Sequence, residues 1–148
     1  MDPEELEAVI MTVRDVVGTS TFRDAPSISR AIANACGFVR MTDSRLGLIT
    51  RALTEATRRS IIEVRNREIH LACRTIDGYS RDALKDALKR VVGRTWTEQQ
   101  EAIRNAARYL GFRRTGARID AAFRSAIRGA IRQGQLERDG EFIRVARR

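Results

Sequence analysis

The sequence predicts a mainly α, α+β protein made of two tandem copies of one small unit, each with three helices followed by a β-hairpin. Three observations carry that expectation. First, Gly37-Phe38-Val39-Arg40 recurs as Gly111-Phe112-Arg113-Arg114, and an internal repeat constrains a fold more than any local pattern. Second, a displacement of 74 residues also lays Arg30, Ala33, Ala52, Ala56, Glu63, Ala72 and Arg74 on Arg104, Ala107, Ala126, Ala130, Glu137, Ala146 and Arg148. Third, each Gly-Phe pair is followed by a basic helical stretch and then by a strand, turn, strand pattern. Ala and Arg are abundant in this chain, so the order of elements weighs more than the identities.

The first helix is marked by Asp2 as N-cap, Pro3 at the first helical position, and Glu4 and Glu5 at the positive end of the helix dipole. Leu6, Val9, Ile10, Val13, Val16 and Val17 form one apolar stripe, and Gly18-Thr19-Ser20 ends it. A second helix is expected from about Ser27 to Cys36, with Ile28, Ile32 and Ala35 inward and Gly37 as its stop. Thr42-Asp43-Ser44 opens a third, in which Leu46, Ile49, Leu53 and Ala56 recur at helical spacing. Two strands, Ile61 to Val64 and Glu68 to Leu71, are expected around an Arg65-Asn66 turn, with Ile62 facing Ile69.

Residues 75–79 read as a short linker between a domain at 1–74 and a second at 80–148. Ser80 caps the next helix, whose apolar positions are Ala83, Leu84, Leu88, Val91 and Val92, with Gly93 ending it. Thr97-Glu98-Gln99-Gln100 has the form of a capping box and opens a helix carrying Ile103, Ala106, Ala107 and Leu110. The last helix carries Ile119, Phe123, Ala126, Ile127, Ala130 and Ile131. Leu136 to Val145 reads as a hairpin around Asp139-Gly140 that pairs Leu136 with Ile143. Three helices followed by a β-hairpin, with a tight turn between the second and third helices, is the order of a winged-helix domain. Two such domains account for all 148 residues. An irregular helical domain with two hairpins is the alternative arrangement.

Composition narrows the function. No run approaches the roughly 18 apolar residues of a membrane span, and the acidic start is unlike a signal peptide, so a soluble, cytoplasmic protein is expected. Cys36 and Cys73 have no CxxC spacing and His70 is the sole histidine, which leaves no tetrahedral metal set. Both thiols read as reduced, small, buried residues. No phosphate-cradling glycine loop, HExxH or nucleophile signature is present, and the carboxylates are scattered. The chain therefore reads as a non-enzyme without a cofactor. Trp96 and Phe112 read as packing residues in a chain that is 5% aromatic.

The net charge of +9 is uneven. Residues 1–74 hold 11 Lys+Arg against 10 Asp+Glu, and residues 75–148 hold 17 against 9, giving +1 and +8. The second unit is the one suited to a polyanion. On the wheel of its third helix, Arg124, Arg128 and Arg132 lie opposite the apolar stripe with Ala121 and Ser125 between them. The exposed face of a helix-turn-helix third helix enters the major groove, where arginine can pair with guanine. A solvated arginine face is the competing reading. Arg113, Arg114, Thr115, Gly116 and Arg118 sit before and at the start of that helix, where backbone N–H groups and the dipole favour phosphate. Arg138 and Arg144 lie on the hairpin, within expected reach of a backbone or groove. The first unit is weaker: Glu55 separates Arg51 from Arg58, Asp43 sits in the turn, and Arg65 and Arg67 on the hairpin are its best candidates.

The segment Leu110-Gly111-Phe112-Arg113-Arg114-Thr115-Gly116-Ala117-Arg118-Ile119, with Gly134-Gln135-Leu136 and Asp139-Gly140-Glu141-Phe142, resembles a domain of unknown function. That domain is found at the C-terminal end of large bacterial superfamily-one helicase-like proteins, often beside a nuclease-like domain. The resemblance covers about residues 80–145 and is most specific in Arg-Thr-Gly-x-Arg-Ile. It implies a DNA-associated accessory module, part of or partner to a helicase-type protein. In the first copy, Met41-Thr42-Asp43-Ser44-Arg45-Leu46 keeps Thr and Arg but has Asp for Gly. The sequence expectation is thus double-stranded DNA bound by the second unit, mainly through phosphates, at Arg113, Arg114, Thr115, Arg118, Arg124, Arg128, Arg132 and Arg138. A protein-interaction or assembly module and a small homodimeric transcriptional regulator are the competing classes.

Overall fold

A computed structural model describes residues 2–147. It is mainly helical with two small antiparallel sheets, and it divides into two compact units, Met1–Arg74 and Thr75–Arg148. Arg148, matched to Arg74 in the sequence repeat, lies outside the described residues. No described helix is long and apolar enough to cross a membrane.

The first unit contains α1 (Pro3–Val17), α2 (Ala25–Ala35), α3 (Asp43–Arg58), β1 (Ile62–Arg65) and β2 (Glu68–Leu71). Asp2 caps α1 by accepting the Glu4 amide, and Thr42 caps α3 by accepting that of Arg45. The α2 cap is Asp24, which accepts the Ser27 amide. The helix therefore begins at Ala25 rather than near Ser27, because Pro26 suits the first turn of a helix. Val9, Ile10 and Val13 pack with Ile28, Ile32, Ile49, Ala52 and Ile61 in one core. Each fully buried isoleucine there contributes about 1.5–3 kcal/mol. Leu46, expected inward, is 44% exposed, and Leu48 takes the buried position. Arg14, itself buried, donates from Nη1 to the Cys73 carbonyl at 2.8 Å and so pins the end of the unit to α1. The two thiols are half-buried rather than buried, and burial raises the Cys73 pKa.

The second unit contains α4 (Arg81–Val92), β3 (Thr97–Glu98), α5 (Gln99–Tyr109), α6 (Ala117–Arg132), β4 (Leu136–Asp139) and β5 (Phe142–Val145). Its core joins Leu84 and Leu88 of α4, Ile103 and Ala106 of α5, Phe123 and Ile127 of α6, and Leu136 and Ile143 of the hairpin. Residues 75–79 carry more structure than a bare linker: Ile76–Gly78 is a 3-10 turn, Ile76 and Tyr79 are buried, and Tyr79 meets Phe112 edge-on at 6.4 Å. The expected capping box at Thr97 does not form. Thr97 and Glu98 instead pair with Ile143 and Phe142 as a third strand. The Gln99 amide finds the Glu141 carbonyl at 2.7 Å, so the hairpin turn caps α5.

The recurrent Gly-Phe has a backbone cause. At the end of α2, Gly37 takes φ 77°, its amide bonds the Asn34 carbonyl, and the Phe38 amide bonds that of Ala33. At the end of α5, Gly111 takes φ 84°, with bonds from Gly111 to Arg108 and from Phe112 to Ala107. Each is a Schellman motif, which needs a residue tolerant of the left-handed region. The ends of α3 and α6 repeat the device at Ser60 (φ 62°) and Gly134 (φ 73°).

Both hairpin registers differ from expectation. The first turn is Asn66-Arg67, both at positive φ, so Ile62 faces Leu71 and Val64 faces Ile69. The second is Gly140-Glu141, with Gly140 at φ 59°, so Leu136 faces Val145 and Arg138 faces Ile143. Positive φ at the first turn residue matches the strand twist, and placing Asp139 there would have left it to Asp rather than Gly. Each pairing moves by two residues, which preserves the face each side chain occupies.

Candidate nucleic-acid interface

The candidate surface of the second unit grows from the α5–α6 turn. The Schellman motif at Gly111 turns the chain, and Arg113 and Arg114 follow, both exposed, with Thr115 half-buried. The α6 N-cap is Gly116, which has no side chain to bond the first free amides. At the matching position of α3, the Thr42 hydroxyl occupies that place. The N-terminus of α6 thus offers N–H donors that no capping side chain takes up, at the positive end of the dipole. Arg118 stands in its first turn, exposed, with Nη1 3.4 Å from Asp77 Oδ2. Arg113, Arg114, Thr115 and Arg118 are brought together around one helix end.

The expected arginine row along α6 is not one continuous surface. Arg124 donates from Nε to Asp120 at 2.7 Å and from Nη2 to Gln100 at 2.8 Å, and Gln100 also donates to Asp120 at 3.1 Å. The Arg124 guanidinium lowers the Asp120 pKa, with a smaller contribution from Gln100. Arg124 is therefore a neutralised member of an α5–α6 tie, not a cation free for base reading. Ser125, expected as a small spacer between arginines, accepts a bond from Arg81 of α4 at 3.1 Å. Arg128 and Arg132 are exposed and make no ion pair among the described residues. From Arg118 to Arg132 the helix rises about 21 Å: at its start Arg118 is paired with Asp77 beside exposed Arg113 and Arg114, its middle is the neutral Asp120–Arg124 tie, and its end carries Arg128 and Arg132.

The hairpin contributes less than expected. Arg144 is half-buried, donates to Glu137 at 2.7 Å and stacks 4.3 Å from the Trp96 ring. That hydrogen bond is the main cause lowering the Glu137 pKa. Trp96, read as a packing residue, is 37% exposed under this arginine. Arg138 is exposed, but its Nε is held by the Gly140 carbonyl at 2.9 Å, and Asp139 and Glu141 share the tip. These carboxylates oppose a phosphate.

Sequence reasoning missed Arg81 and Gln100, which approach α6 from other elements and carry no local signal. The Asp120–Arg124 tie was legible, since an acidic residue four positions before an arginine is a favoured helical pair. In the first unit Arg58 is bonded to Glu55, which lowers the Glu55 pKa, and Arg65 is paired with Glu63 at 2.8 Å. Arg51 and Arg67 remain exposed. His70 lies 3.3 Å from Glu68. Comparison of the chain with protein-family models, curated proteins and solved structures found no match.

Proposed function

We propose that the chain is a non-catalytic DNA-binding accessory module of two winged-helix units, in which the second holds duplex DNA mainly through phosphates. In this reading it serves as part of, or partner to, a helicase-type protein. The observation that carries the proposal is the N-terminus of α6, which lacks a side-chain cap and is surrounded by Arg113, Arg114, Thr115 and Arg118. Free amides at a helix end bind phosphate without reading sequence, and the excess of positive charge in residues 75–148 supplies long-range attraction. The order of elements, three helices and then a hairpin, supports the winged-helix assignment. Arg128 and Arg132 extend the phosphate-binding surface along α6, while the engagement of Arg124 argues against base readout from the middle of the helix.

The test is fluorescence anisotropy with a labelled random-sequence duplex across a salt series. The logarithm of affinity is expected to fall linearly with that of salt, by about 0.9 per phosphate neutralised. Arg114→Glu with Arg118→Glu is expected to lower affinity at least about tenfold at low salt and to flatten the slope. Wild-type binding by that double variant would overturn the placement of the site, and no binding by the parent chain at low salt would overturn the function.

A further inference from the structure

The first unit carries a different surface on its second and third helices. A groove of about 590 Å³ runs along α2 and the start of α3, lined by Pro26, Ala33, Phe38, Val39, Met41 and Leu46 among others. Val39 is fully exposed at 101%, and Met41 and Leu46 are more than 40% exposed. Apolar side chains clustered in this way on a water-facing groove mark an interaction surface. The matching interval of the second unit is closed by polar contacts: Pro26, Leu46 and Thr50 correspond in the repeat to Gln100, Asp120 and Arg124, which bond one another. In the first unit those positions hold no such network, and the interval lies open.

The charge around the groove indicates what fits it. Arg30 lines one wall, Arg40 lies between Val39 and Met41, and Arg45 stacks 4.9 Å over the Phe38 ring while donating to the Arg40 carbonyl. None of the three lies within 4.0 Å of a carboxylate oxygen among the described residues, although the Ser27 amide and, to a smaller extent, nearby Arg30 lower the Asp24 pKa. The nearby carboxylates are placed at helix starts, Asp24 as the α2 cap, bonded to the Ser27 amide, and Asp43 in the first turn of α3. The α2 wall presents Ala25, Ser29, Ala33 and neighbours as far as Asn34, a length of about 14 Å at 1.5 Å per residue. That length matches about two and a half turns of a partner helix.

We propose that this groove docks an acidic amphipathic helix of another protein. Its apolar stripe would enter between α2 and α3, and its flanking Asp or Glu residues would meet Arg30, Arg40 and Arg45. Apolar anchors at i, i+3, i+4 and i+7 are the pattern by which helices fill such grooves. Charge on the rim selects acidic partners over basic ones.

The experiment uses the full chain and two labelled synthetic helical peptides with the same leucine stripe, one flanked by Glu and one by Lys. The Glu peptide is expected to bind at least tenfold more tightly than the Lys peptide. A Val39→Glu, Leu46→Glu variant, altered at exposed positions only, is expected to lose at least tenfold for the Glu peptide with an unchanged far-UV CD spectrum. The same variant should keep its duplex-DNA affinity within twofold, which separates this proposal from the DNA-binding reading. Equal binding of both peptides, or undiminished binding by the variant, overturns it. Concentration-dependent self-association in sedimentation velocity that the variant abolishes would also overturn it, by identifying a second copy of the chain as the occupant.

Discussion

The two units share one backbone scheme and differ in what they show to the solvent. From α2 onward their element boundaries fall at the same displacement, Ala25–Ala35 against Gln99–Tyr109 and Asp43–Arg58 against Ala117–Arg132. After α2 and α5 the Phe38 and Phe112 amides bond the Ala33 and Ala107 carbonyls at 2.9 Å in both. On that common frame Val39, Met41, Leu46 and Thr50 of the first unit stand where Arg113, Thr115, Asp120 and Arg124 stand in the second. Apolar groups in a groove suit a protein helix, whereas arginines around a bare helix end suit phosphate. The comparison teaches that buried positions and helix stops preserve the frame, while exposed positions on it are free to take different chemistry.

The largest expected effect tests whether the units hold together separately. Phe123 and its counterpart Ile49 are both fully buried. Phe123→Ala is expected to cost about 3–5 kcal/mol and Ile49→Ala about 2–5 kcal/mol. In amide NMR spectra, each should disturb mainly its own unit; loss of dispersion throughout the chain from either variant would show the two cores to be one cooperative system.

Next come the helix stops. Gly37 has φ 77°, and nothing lies within 4 Å of the point where an alanine Cβ would stand. The cost of Gly37→Ala is therefore that of the backbone alone, about 1–2 kcal/mol in urea unfolding. Ser60 holds the equivalent left-handed position at the end of α3, where the second unit has Gly134. Ser60→Gly is accordingly expected to stabilise, by about 0.5–1 kcal/mol. A destabilised Ser60→Gly protein would mean that the serine side chain contributes more than its backbone strain costs.

The smallest effect concerns Asp120. Its folded pKa lies below the ordinary 3.8, chiefly through Arg124. The stability it contributes is therefore present above about pH 4 and is lost as pH falls through the lowered folded value. The pair is partly solvated and is worth about 0.3–0.5 kcal/mol. Asp120→Asn should flatten the acid limb of a pH–stability curve by that amount. It should also release Arg124 and remove a negative charge from the basic face, raising duplex affinity a few-fold; unchanged affinity would place Arg124 outside the interface.

Much of the frame is legible in the residues because its causes are local. Asp2 with Pro3, Thr42 and Ser80 act as the expected caps, and Gly37, Gly93 and Gly111 stop their helices at positive φ. Where structure and expectation part, distant partners decide the outcome. Thr97 has the local form of a capping residue, yet the hairpin offers it a strand to pair with, and Leu46 keeps helical spacing but faces the groove. The candidate site is legible at the α6 start, where Arg113, Arg114 and Arg118 are near in sequence. At Arg124 only half of the tie is legible: Asp120 stands four residues before it on the same helix, but Gln100 comes from another helix.

By itself, then, the amino-acid order determined the six helices and two hairpins, the glycine stops after α2, α4 and α5 and the concentration of positive charge in residues 75–148. All of these follow from backbone preference and formal charge within a few residues. Tertiary structure alone decided the third strand of the second sheet, which arginines are tied down by partners from other elements and where apolar side chains stay in water. Each of those depends on groups far apart in the chain arriving within a hydrogen bond or a van der Waals contact of one another, and only packing brings them there.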